Sequence, residues 1–137
     1  MTFVDSKQSR ASALVEAVKY YRGSAERGWD YAQCHLGVAY YKGDGVPKDS
    51  VEAVKWFRKA AEQGNAKAQL NLGLMYASGE GVPQDFVQSH VWSNIAGASG
   101  YEDAKKNLAI IESQMTAEQK AEAMKLARKM FKKMQKK

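Results

Sequence analysis

Apolar residues recur along this chain at spacings of three and four, not two. Between residues 51 and 86, Val54, Phe57, Ala60 and Ala61 share one helical face, and Ala68, Leu72, Gly73 and Tyr76 share another. Each set predicts an amphipathic helix of about four turns. The helix carrying Tyr76 runs into Gly79-Glu80-Gly81-Val82-Pro83-Gln84-Asp85, and the same pattern stands upstream as Gly43-Asp44-Gly45-Val46-Pro47-Lys48-Asp49. Gly43 and Gly79 suit the left-handed residue that ends a helix, and the proline sets an extended approach to the next one. Asp49 with Glu52, and Asp85 with Gln88, have the spacing of a capping box. Gly28, Gly64 and Gly100 mark a shorter turn at the other end of each helix pair.

The pattern is periodic. Val15, Val51 and Val87 lie 36 residues apart, and the blocks 15–50 and 51–86 align without a gap at about half identity. A third block, 87–115, is degenerate: Ala109 stands where Gly37 and Gly73 stand, Glu112 where Tyr40 and Tyr76 stand, and the Gly-Val-Pro turn is gone. After it, Thr116 and Gln119 form another capping pattern, opening a predicted helix over 116–135. On that helix Ala121, Met124, Ala127, Phe131 and Met134 make one stripe. Lys125, Arg128, Lys129, Lys132, Lys133 and Lys136 occupy the rest. Such an array predicts a single all-α repeat domain over 1–137 whose function lies in a displayed surface, because stacked units build an extended face and not a closed pocket.

Composition narrows this only slightly. With 137 residues, 45% of them hydrophobic, the chain has material for one core. Cys34, the single cysteine, has no intramolecular disulfide partner, which leaves the redox compartment open. Met1–Arg10 lacks the apolar centre of a secretory signal. The chain as it stands is therefore expected in the cytoplasm, or in the bacterial periplasm or outside the cell if a leader has been removed. The net charge of +6 is not spread over the repeats. Residues 1–115 hold thirteen basic and thirteen acidic residues, whereas 116–137 hold eight and two. A competing reading follows, in which the basic terminal helix touches an anionic membrane or nucleic acid. Against it, the stripe suits a capping helix, and Phe131 is its only aromatic residue for base stacking.

Chemistry finds little to work with. His35 and His90 lie 55 residues apart, and neither belongs to a cluster with metal-ligand spacing. Cys34 and His35 are neighbours that point in different directions on a helix. The glycine-bearing turns lack the Lys-Ser/Thr of a phosphate loop and carry Asp44 or Glu80 where phosphate would be repelled. Glu16 with Glu52, and Asp49 with Asp85, recur because the repeat recurs. No enzymatic activity, cofactor or metal is expected.

Three segments together resemble the Sel-1-like repeat, a relative of the tetratricopeptide repeat. They are the A-x-x-x-L-G-x-x-Y of Ala32, Leu36, Gly37 and Tyr40, the G-x-G-V-P-x-D turn, and Glu52–Gly64. The resemblance covers residues 14–113, and the stretch Ala104–Ala127 resembles the terminal helices that close bacterial members. It implies a right-handed α-solenoid of antiparallel helix pairs acting as an adaptor or scaffold for a partner protein or peptide. Were the chain a piece of a longer array, residues 1–12 are expected to be poorly ordered.

The resemblance also implies which positions face the partner, since the Leu-Gly helix lines the concave side of related stacks. These are Tyr31, Cys34, His35, Val38, Tyr41 and Lys42 in the first unit and Lys67, Leu70, Asn71 and Leu74 in the second. Asp103, Lys106, Asn107 and Ile110 follow in the cap. His35, Asn71 and Asn107 would form a polar row beside an apolar one, a surface suited to an extended or helical peptide. The plain alternative is a solvated helix face. Tyr40, Tyr76, Trp56 and Trp92 are assigned to the core instead, and Gly37 and Gly73 to the closest helix approaches.

Overall fold

The computed structural model describes residues 3–136, of which the side chains are described from residue 7 onward. Among the described residues seven helices follow one another: α1 Phe3–Glu26, α2 Asp30–Lys42, α3 Ser50–Glu62, α4 Ala66–Ser78, α5 Phe86–Ala98, α6 Glu102–Glu112 and α7 Ala117–Gln135. No strand occurs among the described residues. Consecutive helices from α1 to α6 pack side by side, giving the all-α solenoid that the period predicts. α1 is helical from Phe3 onward, well into the stretch 1–12 expected to be poorly ordered; Met1 and Thr2 lie outside the described residues.

The long turn explains both of its glycines. Gly43 and Gly79 end α2 and α4 at φ 76° and 75° and donate their N–H groups to Ala39 and Met75. Gly45 and Gly81 stand against the Leu14 and Ser50 carbonyls of the preceding outer helix, where a Cβ would collide. Asp49 and Asp85 cap α3 and α5, each carboxylate accepting a backbone N–H (Glu52 and Gln88) at 3.1 Å. The reciprocal half of the expected box does not form. The Asp49 and Asp85 N–H groups donate instead to the carbonyls of Tyr40 and Tyr76 at 2.9 Å, tying the turn back to the helix it left. Among the described residues only Thr116 and Gln119 make the complete box.

Between helices the small residues admit large ones. An ideal Cβ on Gly37 would lie 2.6 Å from the Phe57 ring, and one on Gly73 would lie 2.9 Å from Ser93 Oγ. Leu36, Leu72, Trp56 and Trp92 are buried. Tyr40 and Tyr76 are half-buried, each hydroxyl accepting from a guanidinium 18 residues earlier, Arg22 and Arg58, at 2.7 Å. In the degenerate third block Glu112 accepts from the buried His90 Nε2 at 3.0 Å.

α7 departs from the repeat: it packs along α5 and does not pair with α6 as α3 pairs with α2. The buried face of α7 is Ala123 and Ala127, flanked by the half-buried Leu126, Met130 and Met134. This corrects the predicted stripe. Ala121 and Met124 face outward, while Phe131 borders a small cavity beside Ile95 and Gln69.

Candidate functional site: the groove between α2 and α4

α2 and α4 occupy equivalent places in successive units, so residues 36 apart stand side by side along them. Both helices read as apolar all round their inner faces because Ala32, Leu36, Ala68 and Leu72 are packed on α1, α3 and α5. The faces left over meet in a groove. Its cavity holds about 470 Å³ and is lined by Val38, Tyr41 and Lys42 from α2, by Lys67, Asn71, Leu74, Met75 and Ser78 from α4, by Glu80 of the turn, and by Phe57 of α3. The floor is apolar, made by Val38, Phe57, Leu74 and Met75. The rim is polar and carries two ammonium groups.

Six of the ten partner-facing positions expected in the first two units line this cavity: Val38, Tyr41, Lys42, Lys67, Asn71 and Leu74. Tyr31 and His35 lie beyond its N-terminal end. The His35 ring stacks on Tyr21 with centroids 4.7 Å apart and meets Tyr31 at 4.4 Å. Burial, and then the Lys67 ammonium, holds the His35 imidazole below its ordinary pKa, so it stands neutral at pH 7. In the cap, Asp103, Lys106 and Ile110 are exposed but line no part of this cavity.

Three expected positions are corrected. Cys34 is buried in the core, where burial pushes its thiol pKa up, Lys67 opposing and Asp30 adding. Leu70 is buried against Ala96 and Ala104. Asn107 is buried too, its amide donating to Ser93 Oγ at 2.8 Å, so the polar row His35, Asn71, Asn107 ends at Asn71. Cys34 and Leu70 share one repeat position, packed toward the core, whereas Asn107 holds the position of Asn71 on α6 and is bonded to α5. Phe57 and Met75 escaped the sequence reading as groove residues. Each carries the signature of a core residue, and the bare Gly37 lets α2 lie directly on the Phe57 ring.

Ser89 precedes His90, which holds Glu112, but Ser89 Oγ and His90 Nδ1 are buried without a hydrogen-bond partner, so no hydroxyl-to-imidazole bond links them. No group of His, Cys, Asp or Glu among the described residues has the arrangement of a metal site. No helix of the described chain is long and apolar enough to cross a membrane.

Comparison with known proteins agrees with this architecture. The family model described as Sel1 repeat matches residues 30–65 and 66–101, each match being one Leu-Gly helix with the outer helix that follows. The crystal structure of a protective antigen present in uropathogenic Escherichia coli strains, which displays an SLR fold, is 33% identical with a TM-score of 0.83. The match covers 93% of this chain and 31% of the antigen. The crystal structure of a Sel1 repeat protein from Oxalobacter formigenes is 38% identical with a TM-score of 0.67, over 70% of this chain and 40% of that one. The chain thus spans less than half the length of either structure. No curated protein matches it.

Proposed function

This chain belongs to the Sel1 repeat family, and from that premise we propose that it is a non-enzymatic scaffold that holds a partner protein or peptide in the groove between α2 and α4. Sel1 repeat proteins generally mediate protein–protein interactions. The observation that supports the groove is convergence: Val38, Leu74, Phe57 and Met75 form an apolar floor of side-chain size, and Asn71, Tyr41, Lys42 and Lys67 rim it. An apolar pocket beside hydrogen-bonding groups is what recognition of a short segment needs, since the pocket supplies affinity and the rim supplies register. The helices around it are fixed by the packed core, so the groove is formed before a partner arrives, which lowers the ordering cost of binding.

Affinity capture from a lysate of the source cell tests this reading, using the intact chain, a Lys67→Glu, Asn71→Ala double variant, and a chain ending at Lys133. The reading predicts a protein retained by the intact and shortened chains and lost by the double variant. Recovery of only nucleic acid or lipid, weakened by salt and by loss of the last lysines, would transfer the binding role to α7.

A further inference from the structure

The charges around the groove are unevenly distributed. Lys42 closes α2 and Lys67 opens α4, and because Lys42 is equivalent to Ser78 and Lys67 to Tyr31, the two ammonium groups stand at opposite ends of the cavity. At the Lys42 end Glu80 also lines the wall, so the charges there offset each other. At the Lys67 end no carboxylate lines the cavity. Lys67 makes no ion pair with any described residue. Asp30, on the first turn of α2, has its carboxylate held by the Asn65 amide at 3.1 Å. The N-terminus of α4 adds its positive dipole end on the same side. Asn71 stands one turn along α4 from Lys67, with its side chain on the cavity. Lys67 stands close enough to α2 to pull down on the pKa values of His35 and Cys34, second at each to burial, which lowers the first and raises the other.

Accepting the groove as the binding surface, we propose that its ligand is an acidic, apolar-anchored peptide. A large apolar side chain of the peptide fills the space between Val38, Phe57, Leu74 and Met75. A carboxylate close to it in the peptide sits against Lys67, with Asn71 donating from its amide. Direction follows from the asymmetry: the acidic end of the ligand lies at the start of α4, and the end near Glu80 is neutral or basic. The carboxylate need not be desolvated completely, because Lys67 is exposed, so this contact contributes selectivity and association rate more than raw affinity.

A random heptapeptide library displayed on phage, selected against the full chain, tests this, with binders re-measured as synthetic peptides on the Lys67→Glu and Leu74→Asp variants. The expected result is enrichment of Asp or Glu within a few residues of Leu, Phe or Met. Lys67→Glu then weakens those peptides by about tenfold or more, and peptides with Lys in place of the acid recover binding on that variant. Unchanged melting of both variants accompanies this result, since both positions are exposed. Binders lost on Leu74→Asp yet indifferent to Lys67→Glu and free of acidic bias would overturn the acidic ligand while leaving the groove in place. Binders indifferent to Leu74→Asp, or no binders at all, would overturn both.

Discussion

Phe57 occupies the space that a side chain on Gly37 would need: an ideal Cβ there would stand 2.6 Å from two atoms of the ring. The ring is itself buried and forms part of the floor of the groove, so this glycine decides how closely α2 meets α3 beside the groove. Gly37→Ala is therefore expected to destabilise the protein by about 1–3 kcal/mol, although alanine favours a helix, because a sealed aromatic ring cannot move aside without repacking. Gly73→Ala meets first the hydroxyl of Ser93 and should cost less. Thermal melting of the two variants, with the smaller loss at residue 73, checks the ordering.

Tyr20, Trp56 and Trp92 hold one repeat position in three environments. Trp56 and Trp92 are 5% and 1% exposed beneath the preceding Leu-Gly helix, whereas Tyr20, which no Leu-Gly helix covers among the described residues, is 71% exposed. Trp56→Ala should cost on the order of 3–5 kcal/mol, and Tyr20→Ala should stay within about 0.5 kcal/mol of the parent. Denaturant titration of the pair separates a position effect from a residue effect.

The helix α7 packs along α5, and we propose that it caps the stack. Removing it before Thr116 exposes apolar core at Trp92 and Ile95 and is expected to lower both melting temperature and solubility. The point substitution Thr116→Ala removes the acceptor for the Gln119 N–H and should cost about 1 kcal/mol. A truncated chain that melts unchanged would contradict the capping role.

His35 gives a pH signature. Its pKa in the folded chain is lowered, by burial first and by Lys67 second, so on acidification the unfolded chain takes up the proton before the folded one does. Stability from this source is fully present above the unfolded value of about 6.5 and is lost as the pH falls through the lower folded value. His35→Phe, which keeps the stack on Tyr21, should flatten that part of the curve. Urea denaturation at pH 7.5 and pH 5.5, compared between the two chains, measures it.

Helices, turns and the stacking order were legible in the residues because the period repeats every cue: Gly43 and Gly79, Asp49 and Asp85, Leu36 and Leu72 each appear twice in register. Where the period lapses, the reading lost accuracy. The fold-back of α7 buries the alanines at 123 and 127, and neither distinguishes one partner helix from another in a linear pattern. The groove was legible for Val38, Leu74 and Asn71, which follow the repeat. It was misread at Cys34, Leu70 and Asn107, because a residue one step around a helix is exposed or buried according to where the next helix lies. Phe57 was legible as core and invisible as floor, since a ring can be nearly sealed and still border a cavity.

The central claim, that the groove receives a partner, is tested most directly by a photo-crosslinking residue placed at Leu74 on the groove and, separately, at the exposed Lys55 on α3, each exposed to a lysate of the source cell. The account predicts a discrete protein adduct from position 74 that is absent from position 55 and is suppressed when Lys67→Glu is added. Equal adducts from both positions, or none from position 74 while the intact chain still captures the partner, would contradict it.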